Sequence, residues 1–306
     1  MSVGRALREL MRDPYRRGEA VLQSSGAHLL LESGDLEVAL RSERVAIISC
    51  WMKTPRVSRS LSTYIERLSQ IGFSSVLINT SEFDNPLVWE HEPPTTTAVY
   101  RRPNVGYDFG SWSAALASIP EVRKKPYVLL TNDSLVGPFT DLQRIWGRAE
   151  STHSDLFSLT DSFQGSPHPQ SFFLLFKWGT LDDEEWLRFF SNVRQQAVKE
   201  DIVGAYEFGV ARTCRRYGYS WDSMVNAVSA HAGRGNPTLD SWRALMMHGI
   251  PFVKRNIITD PAFAATSLEM AIAIRTLYGE NVGSWLPEGY SLPEQTQAYL
   301  DSLGGS

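Results

Sequence analysis

Carboxylates, amides and glycines gather at three places where they could do chemistry. The first is Arg101-Arg102-Pro103-Asn104-Val105-Gly106-Tyr107-Asp108. The second is Asn132-Asp133-Ser134, followed by Leu135-Val136-Gly137-Pro138. The third is Asp161-Ser162, closing the stretch DLFSLTDS. Hard cations such as Mg²⁺ and Mn²⁺ take oxygen ligands, and one or two carboxylates often suffice beside phosphate oxygens. Arginine side chains and helix N-termini bind anions. The set therefore suits a ligand carrying a diphosphate, such as a nucleotide-diphosphate sugar, whose charge must be neutralised as the sugar departs. Asp133 is the natural cation ligand. The same residues also have a purely structural reading. Asn-Asp-Ser can cap the next turn. Gly106 can supply a positive φ, with Asp108 as the N-cap of the following helix.

Elements that could position these residues are legible around them. RVAIISCW (44–51) is a short apolar run suited to a buried strand. A helix is expected over 56–71, with Leu61, Ile65 and Leu68 on one face and Gly72 as its stop. SSVLINT (74–80) reads as the next strand, which makes a βαβ unit of a parallel sheet. Further strands are expected at 97–102, 127–131, 155–162 and 171–178, and helices at 108–119, 182–198 and 201–217. In open α/β sheets ligands bind beyond the carboxyl ends of the strands. The three polar stretches follow three of these strands. The fold class is therefore α/β, with a Rossmann-like, mainly parallel central sheet, helices on both faces and helical additions at both ends. The expected units are a helical extension over 1–43, a catalytic domain over 44–260 and a helical tail over 261–306.

Composition bounds the rest. The 306 residues are 42% hydrophobic and 21% charged, which is ordinary for a globular protein. The net charge of −4 argues against a dedicated nucleic-acid binder. The two cysteines, Cys50 and Cys214, have no zinc-ligand spacing, and Cys50 reads as a buried thiol. A reducing, cytoplasmic setting is the simplest inference. No apolar run has transmembrane length, and the N-terminus lacks the apolar core of a signal peptide. That N-terminus instead carries Arg5, Arg8, Arg12, Arg16 and Arg17 against Glu9, Asp13 and Glu19. It reads as a surface helix, or as a basic segment making peripheral contact with the cytoplasmic face of a membrane.

Six motifs in order resemble the rhamnan synthesis protein F family, whose members look like glycosyltransferases of the GT-A type. They are RRPNVGYDFGSW (101–112), YVLLTNDSLVGPF (127–139), DLFSLTDS (155–162), HPQSFFLLF (168–176), YEFGVA (206–211) and GIPFVKR (249–255). The resemblance implies transfer of a sugar, typically L-rhamnose from dTDP-rhamnose, onto a surface polysaccharide or lipid-linked glycan. It also departs from the family pattern at one place. Metal-dependent enzymes of this type carry Asp-x-Asp at the end of the central strand, where this chain has Asn132-Asp133-Ser134.

On this reading Arg101, Asn104, Gly106, Asp108, Asn132, Asp133 and Ser134 shape the donor site. Lys254 and Arg255 clamp the diphosphate, and Asp133 holds a divalent cation, Mg²⁺ or Mn²⁺. Gln170 and Ser171 hydrogen-bond the acceptor. Glu207, in an otherwise small and aromatic stretch, is the candidate general base, with Asp161 as the next. The bland alternative for Glu207 is a salt bridge to Arg212 or Arg215. His248 reads as a core histidine rather than a ligand. The competing function is a sugar-nucleotide or glycan-binding module without turnover, which the single carboxylate favours. A dinucleotide-binding oxidoreductase would need glycines where 49–56 reads SCWMKTPR. An aspartyl phosphohydrolase would need Asp-x-Asp after the first strand.

Overall fold

A computed structural model describes residues 18–196, 203–230, 232–233 and 235–303. The basic segment Arg5–Arg17 lies outside them. The centre of the fold is a sheet in the order β1-β4-β3-β2-β5-β9-β7-β10, with β8 paired to β7. Its strands are β1 (Leu30–Ser33), β2 (Arg44–Cys50), β3 (Phe73–Asn79), β4 (Thr97–Arg101), β5 (Tyr127–Asn132), β7 (Leu156–Ser162), β8 (His168–Pro169), β9 (Phe173–Lys177) and β10 (Trp221–Val225). A separate two-stranded piece joins β6 (Leu135–Val136) to β11 (Val253–Lys254). The helices of three or more residues used below are α1 (Arg59–Gln70), α2 (Tyr107–Ser118), α3 (Gln143–Ser151), α4 (Glu184–Ser191), α5 (Phe208–Tyr217), α6 (Trp242–Met247), α7 (Arg255–Thr259), α8 (Ala264–Tyr278) and α9 (Glu294–Leu303).

The parallel block β4-β3-β2-β5 confirms the expected α/β architecture. β3 is buried along its whole length, with Val76, Leu77 and Ile78 as its apolar centre. In β2 the side chains alternate between two cores, as the two-residue period of a strand requires. Ala46, Ile48 and Cys50 join the core that holds Leu61, Ile65 and Leu68 of α1 and Trp146 of α3. Val45 and Ile47 join the core that holds Trp112 of α2, Trp186 of α4 and Val210 of α5. A fully buried side chain of this size stabilises the fold by about 1.5–3 kcal/mol. The Ser58 hydroxyl caps α1 by accepting from the Leu61 amide, and Gly72 follows the helix at φ 82°. A third core joins Val136 and Val253 of the small sheet to Trp285, Met270 of α8 and Leu300 of α9.

Three expectations need correction. Within the N-terminal part expected to be helical, Leu30–Ser33 is an edge strand, antiparallel to β4. The strand is short and its leucines are exposed, so it lacks the alternation that marks a buried strand. The helix expected over 182–198 stops at Ser191. Beyond it Val193 accepts from the Val21 amide and Gln195 donates to the Glu19 carbonyl, so tertiary pairing replaces the helical ladder. The helix expected over 201–217 is present from Val203 among the described residues, with a π-type first part at Val203–Glu207 that continues into α5. Strand β10 falls in a stretch read only as mixed tail. Its Trp221 and Asp222 are half-buried, which leaves no apolar run to read. Among the described residues, no helix is long and apolar enough to cross a membrane.

Candidate functional site

The sheet brings the three polar stretches to one edge. β2, β3, β4 and β5 are parallel, β9 is antiparallel to β5, and β7 is antiparallel to β9. β7 therefore runs with β5, and residues 101–108, 132–134 and 161–162 all leave the sheet on the same side. Residues 168–171 reach β9 from that side too, because Phe173 sits opposite Thr131.

On the β5 side, hydrogen bonds tie the candidate donor residues together. Asn132 Nδ2 donates to Asp108 Oδ2 at 2.7 Å. Asn132 Oδ1 accepts from the Ser134 amide at 3.1 Å and from its hydroxyl at 2.6 Å, so the turn-capping reading of Asn132 and Ser134 holds. Asp133 faces Arg255. The guanidinium donates to the Asp133 carbonyl at 2.8 Å and to its carboxylate at 3.1 Å. Burial alone would lower the Arg255 pKa. The Asp133 carboxylate, Tyr290 and Asp108 outweigh it and raise the pKa, so this arginine stays charged. Strand pairing explains the meeting of residues so far apart in sequence. Lys254 of β11 pairs with Leu135 of β6, and the Arg255 amide then donates to the Ser134 carbonyl at 3.0 Å. Asn132, Asp133, Tyr64, Phe252 and Pro287 line a cleft here.

The other expected donor residues are placed as follows. Asn104 is exposed and Gly106 is buried. Gly106 itself occupies the N-cap of α2 at φ 80°, and Asp108 lies in the first turn, which corrects the expected cap. Tyr107, also left-handed at φ 53°, is exposed. Arg101 turns away toward the sheet edge. It bonds Glu32 of β1 at 3.1 Å, the Asn85 carbonyl at 2.7 Å and the Phe83 carbonyl. Lys254 places its ammonium 4.5 Å from the centre of the Phe172 ring. It lines a second cleft with Phe172, Thr160 and Trp242.

Sequence reasoning missed Arg102. Only 2% exposed, it donates to the Gly26 carbonyl, the Ser111 hydroxyl and the Val105 carbonyl at 2.7–3.0 Å. It thereby fixes the loop that leads into α2. Burial pulls its pKa down to about 10. An arginine adjacent to another arginine at a strand end gives no sign of which one turns inward.

On the β9 side, Glu207 is held by Ser171, with His168 beside it, rather than by Arg212 or Arg215. The Ser171 hydroxyl donates to Glu207 Oε1. His168 Nε2 lies 3.8 Å from Glu207 Oε2, and His168 is only 4% exposed. Arg212 instead donates to the carbonyls of Gly204 and Ala205, and Arg215 to that of Pro167. The sequence offered His168 only as part of a motif, 39 residues before Glu207. Gln170 is buried, accepting from Thr160 Oγ1 at 2.5 Å and donating to Asn236 Oδ1 at 2.9 Å. Asp161 accepts the Ala227 amide at 2.6 Å. Burial raises its pKa, opposed by that bond and by His168. His248, expected in the core, is exposed at the end of α6.

The donor set does not fit a cation held by the protein alone. Among the described residues no three His, Cys, Asp or Glu side chains gather as ligands, and the Asp133 carboxylate already faces Arg255. Beside that carboxylate the positive charge is the Arg255 guanidinium.

Comparison with known proteins places these features in a wider set. A family model described as rhamnan synthesis protein F matches residues 87–282, which include every candidate residue above. Virulence protein VirA of Vibrio anguillarum is 24% identical over 191 residues, covering 52% of this chain and 61% of that protein. A second VirA sequence from Vibrio anguillarum matches equally. The chain thus spans about three-fifths of the length of these relatives.

Proposed function

This chain belongs to the rhamnan synthesis protein F family, and on that premise we propose that it is a glycosyltransferase acting on a nucleotide-diphosphate sugar. The family's description ties it to polysaccharide biosynthesis. The proposed donor is dTDP-rhamnose. The proposed acceptor is a hydroxyl of a growing surface polysaccharide or lipid-linked glycan. The fold type proposed is GT-A, and the reaction is a single displacement with inversion. One observation carries this reading. A charged arginine facing Asp133 at the end of β5, and a carboxylate bonded by Ser171 just before the neighbouring strand β9 with His168 beside it, lie at the same sheet edge.

The chemistry follows from that placement. The donor's diphosphate lies against the turn 132–134 and the start of α2, with Arg255 neutralising the charge that grows on the leaving group. Glu207 takes the proton of the acceptor hydroxyl as its oxygen attacks the anomeric carbon. Ser171 keeps the carboxylate turned toward that hydroxyl, with His168 beside its other oxygen. Because the residues do not fit a protein-held metal, no step is assigned to one.

Donor binding tests the Arg255 role. A thermal-shift series with dTDP-, UDP- and GDP-sugars should show stabilisation following RT ln(1 + [L]/Kd) for the correct donor. Arg255→Gln should reduce that shift, with donor affinity falling by about tenfold or more, the scale of one charge-assisted hydrogen bond. Unchanged affinity in a folded Arg255→Gln protein would remove Arg255 from the donor site. The pairing of Asp133 with Arg255 favours one second reading, a donor-binding module without turnover. It would show the same shift and no acceptor-dependent release of nucleoside diphosphate.

A further inference from the structure

The contact between His168 and Glu207 contains a constraint on where protons sit. His168 Nδ1 lies 2.6 Å from the Ser166 carbonyl oxygen. A carbonyl only accepts, so Nδ1 carries a hydrogen. In the neutral ring the other nitrogen, Nε2, then presents a lone pair, and it faces Glu207 Oε2 at 3.8 Å. A lone pair and a carboxylate repel each other. A proton placed between them turns repulsion into a charge-assisted hydrogen bond, with an optimum near 2.8 Å, so closure by about 1 Å forms the bridge. The ring has little freedom to turn away, because it is 4% exposed and its centre lies 4.7 Å from that of Phe208.

Resting on the transferase reading above, we propose that His168 and Glu207 act as one base. His168 is the positioning residue that shares the proton Glu207 removes from the acceptor. The acceptor O–H bond breaks as its oxygen bonds the anomeric carbon. The anomeric C–O bond to the diphosphate breaks, and its electron pair leaves with the diphosphate. The proton comes to rest between Oε2 and Nε2, and then leaves to solvent through Glu207, whose side chain is 21% exposed. Other charged groups surround the pair. Asp161 of β7 interacts electrostatically with His168, and Asp222 of β10 with Asp161. Arg215 of α5 donates to the Pro167 carbonyl and the Ser166 hydroxyl, holding the turn that orients Nδ1. The Ser171 hydroxyl occupies the far oxygen, Oε1, which leaves Oε2 for the shared proton.

Two readouts test this. Nitrogen-15 NMR of the histidine ring in the full-length protein reports the state of each nitrogen directly. The expected result is a protonated Nδ1 and an Nε2 signal that differs between Glu207→Gln and the native protein. A bare Nδ1, or the same Nε2 behaviour in both proteins, would overturn the proposal. With transfer as the readout, His168→Asn should lower kcat by about tenfold or more, leave donor KM unchanged and move the acid limb of the pH–rate profile to lower pH. A profile of unchanged shape would also overturn it, with His168→Gln as the second variant should Asn fail to fold. Absence of transfer by the native protein would sink the transferase reading instead, while the NMR result would still decide whether the proton is shared.

Discussion

Glu207 and Asp161 are carboxylates at the same sheet edge, yet their surroundings give them different work. Glu207 has one oxygen on Ser171 and the other toward His168, and it remains partly open to solvent. Changing it to Gln keeps the shape and removes the proposed base. Glu207→Gln is expected to lower turnover by about 100-fold or more while donor affinity stays nearly constant. Steady-state kinetics with donor titration check both parts. Asp161 is instead an internal acceptor for the Ala227 amide, with its pKa raised by burial. A carboxyl with a raised pKa holds its proton more tightly in the folded chain than in the unfolded one. Its contribution to stability therefore falls as pH rises from the ordinary carboxylate range through the folded-state value, and stays lower above it. Asp161→Asn, which can still accept from Ala227, should raise Tm at pH 7–8 and lose that advantage as pH falls toward 3. A Tm difference that is constant with pH would show that the charge carries no cost.

Elements set how closely the residues can meet, and α2 shows how tightly. A Cβ on Gly110 would lie 2.1 Å from the Val105 carbonyl oxygen, a backbone atom with little room to move. Gly110→Ala should therefore cost about 1–3 kcal/mol, the scale of forced overpacking, and denaturant unfolding measures it. The pattern DFGSW shows a glycine in a helical stretch but not the strand-end loop pressed against it. Much of the frame was legible in the same local way. β2, β3, β4, β5, β7 and β9 lie within about two residues of their expected places, because buried strands are apolar runs bounded by turn residues. β1 and β10 were not legible. One is a short exposed edge and the other is half polar, and both exist through pairing with distant strands. The candidate site divides along the same line. The Asp108–Asn132–Ser134 cluster follows from strand ends. The inward turn of Arg102, the outward use of Arg101 against Glu32 and the approach of His168 to Glu207 are tertiary events.

At the scale of the whole molecule, three cores divide the labour. Two sandwich the sheet and fix its edge. The third, built from the C-terminal helices, holds the β6–β11 pair and so delivers Arg255 to Asp133. Lys53 and Thr54 bond Gly289 and Glu288, tying the loop after β2 to the segment that carries Tyr290 beside Arg255. The arginine thus depends on chain more than 120 residues away from the carboxylate it meets. The central claim is that this edge transfers a sugar rather than only holding its donor. The most direct measurement is nucleoside diphosphate release from dTDP-rhamnose by the purified full-length protein, with and without a rhamnan-type acceptor, alongside mass analysis of the acceptor. The account predicts release that requires the acceptor, an acceptor heavier by one deoxyhexose, and loss of both in Glu207→Gln. Donor binding with no acceptor-dependent release, or release that is unaffected in Glu207→Gln, would contradict it.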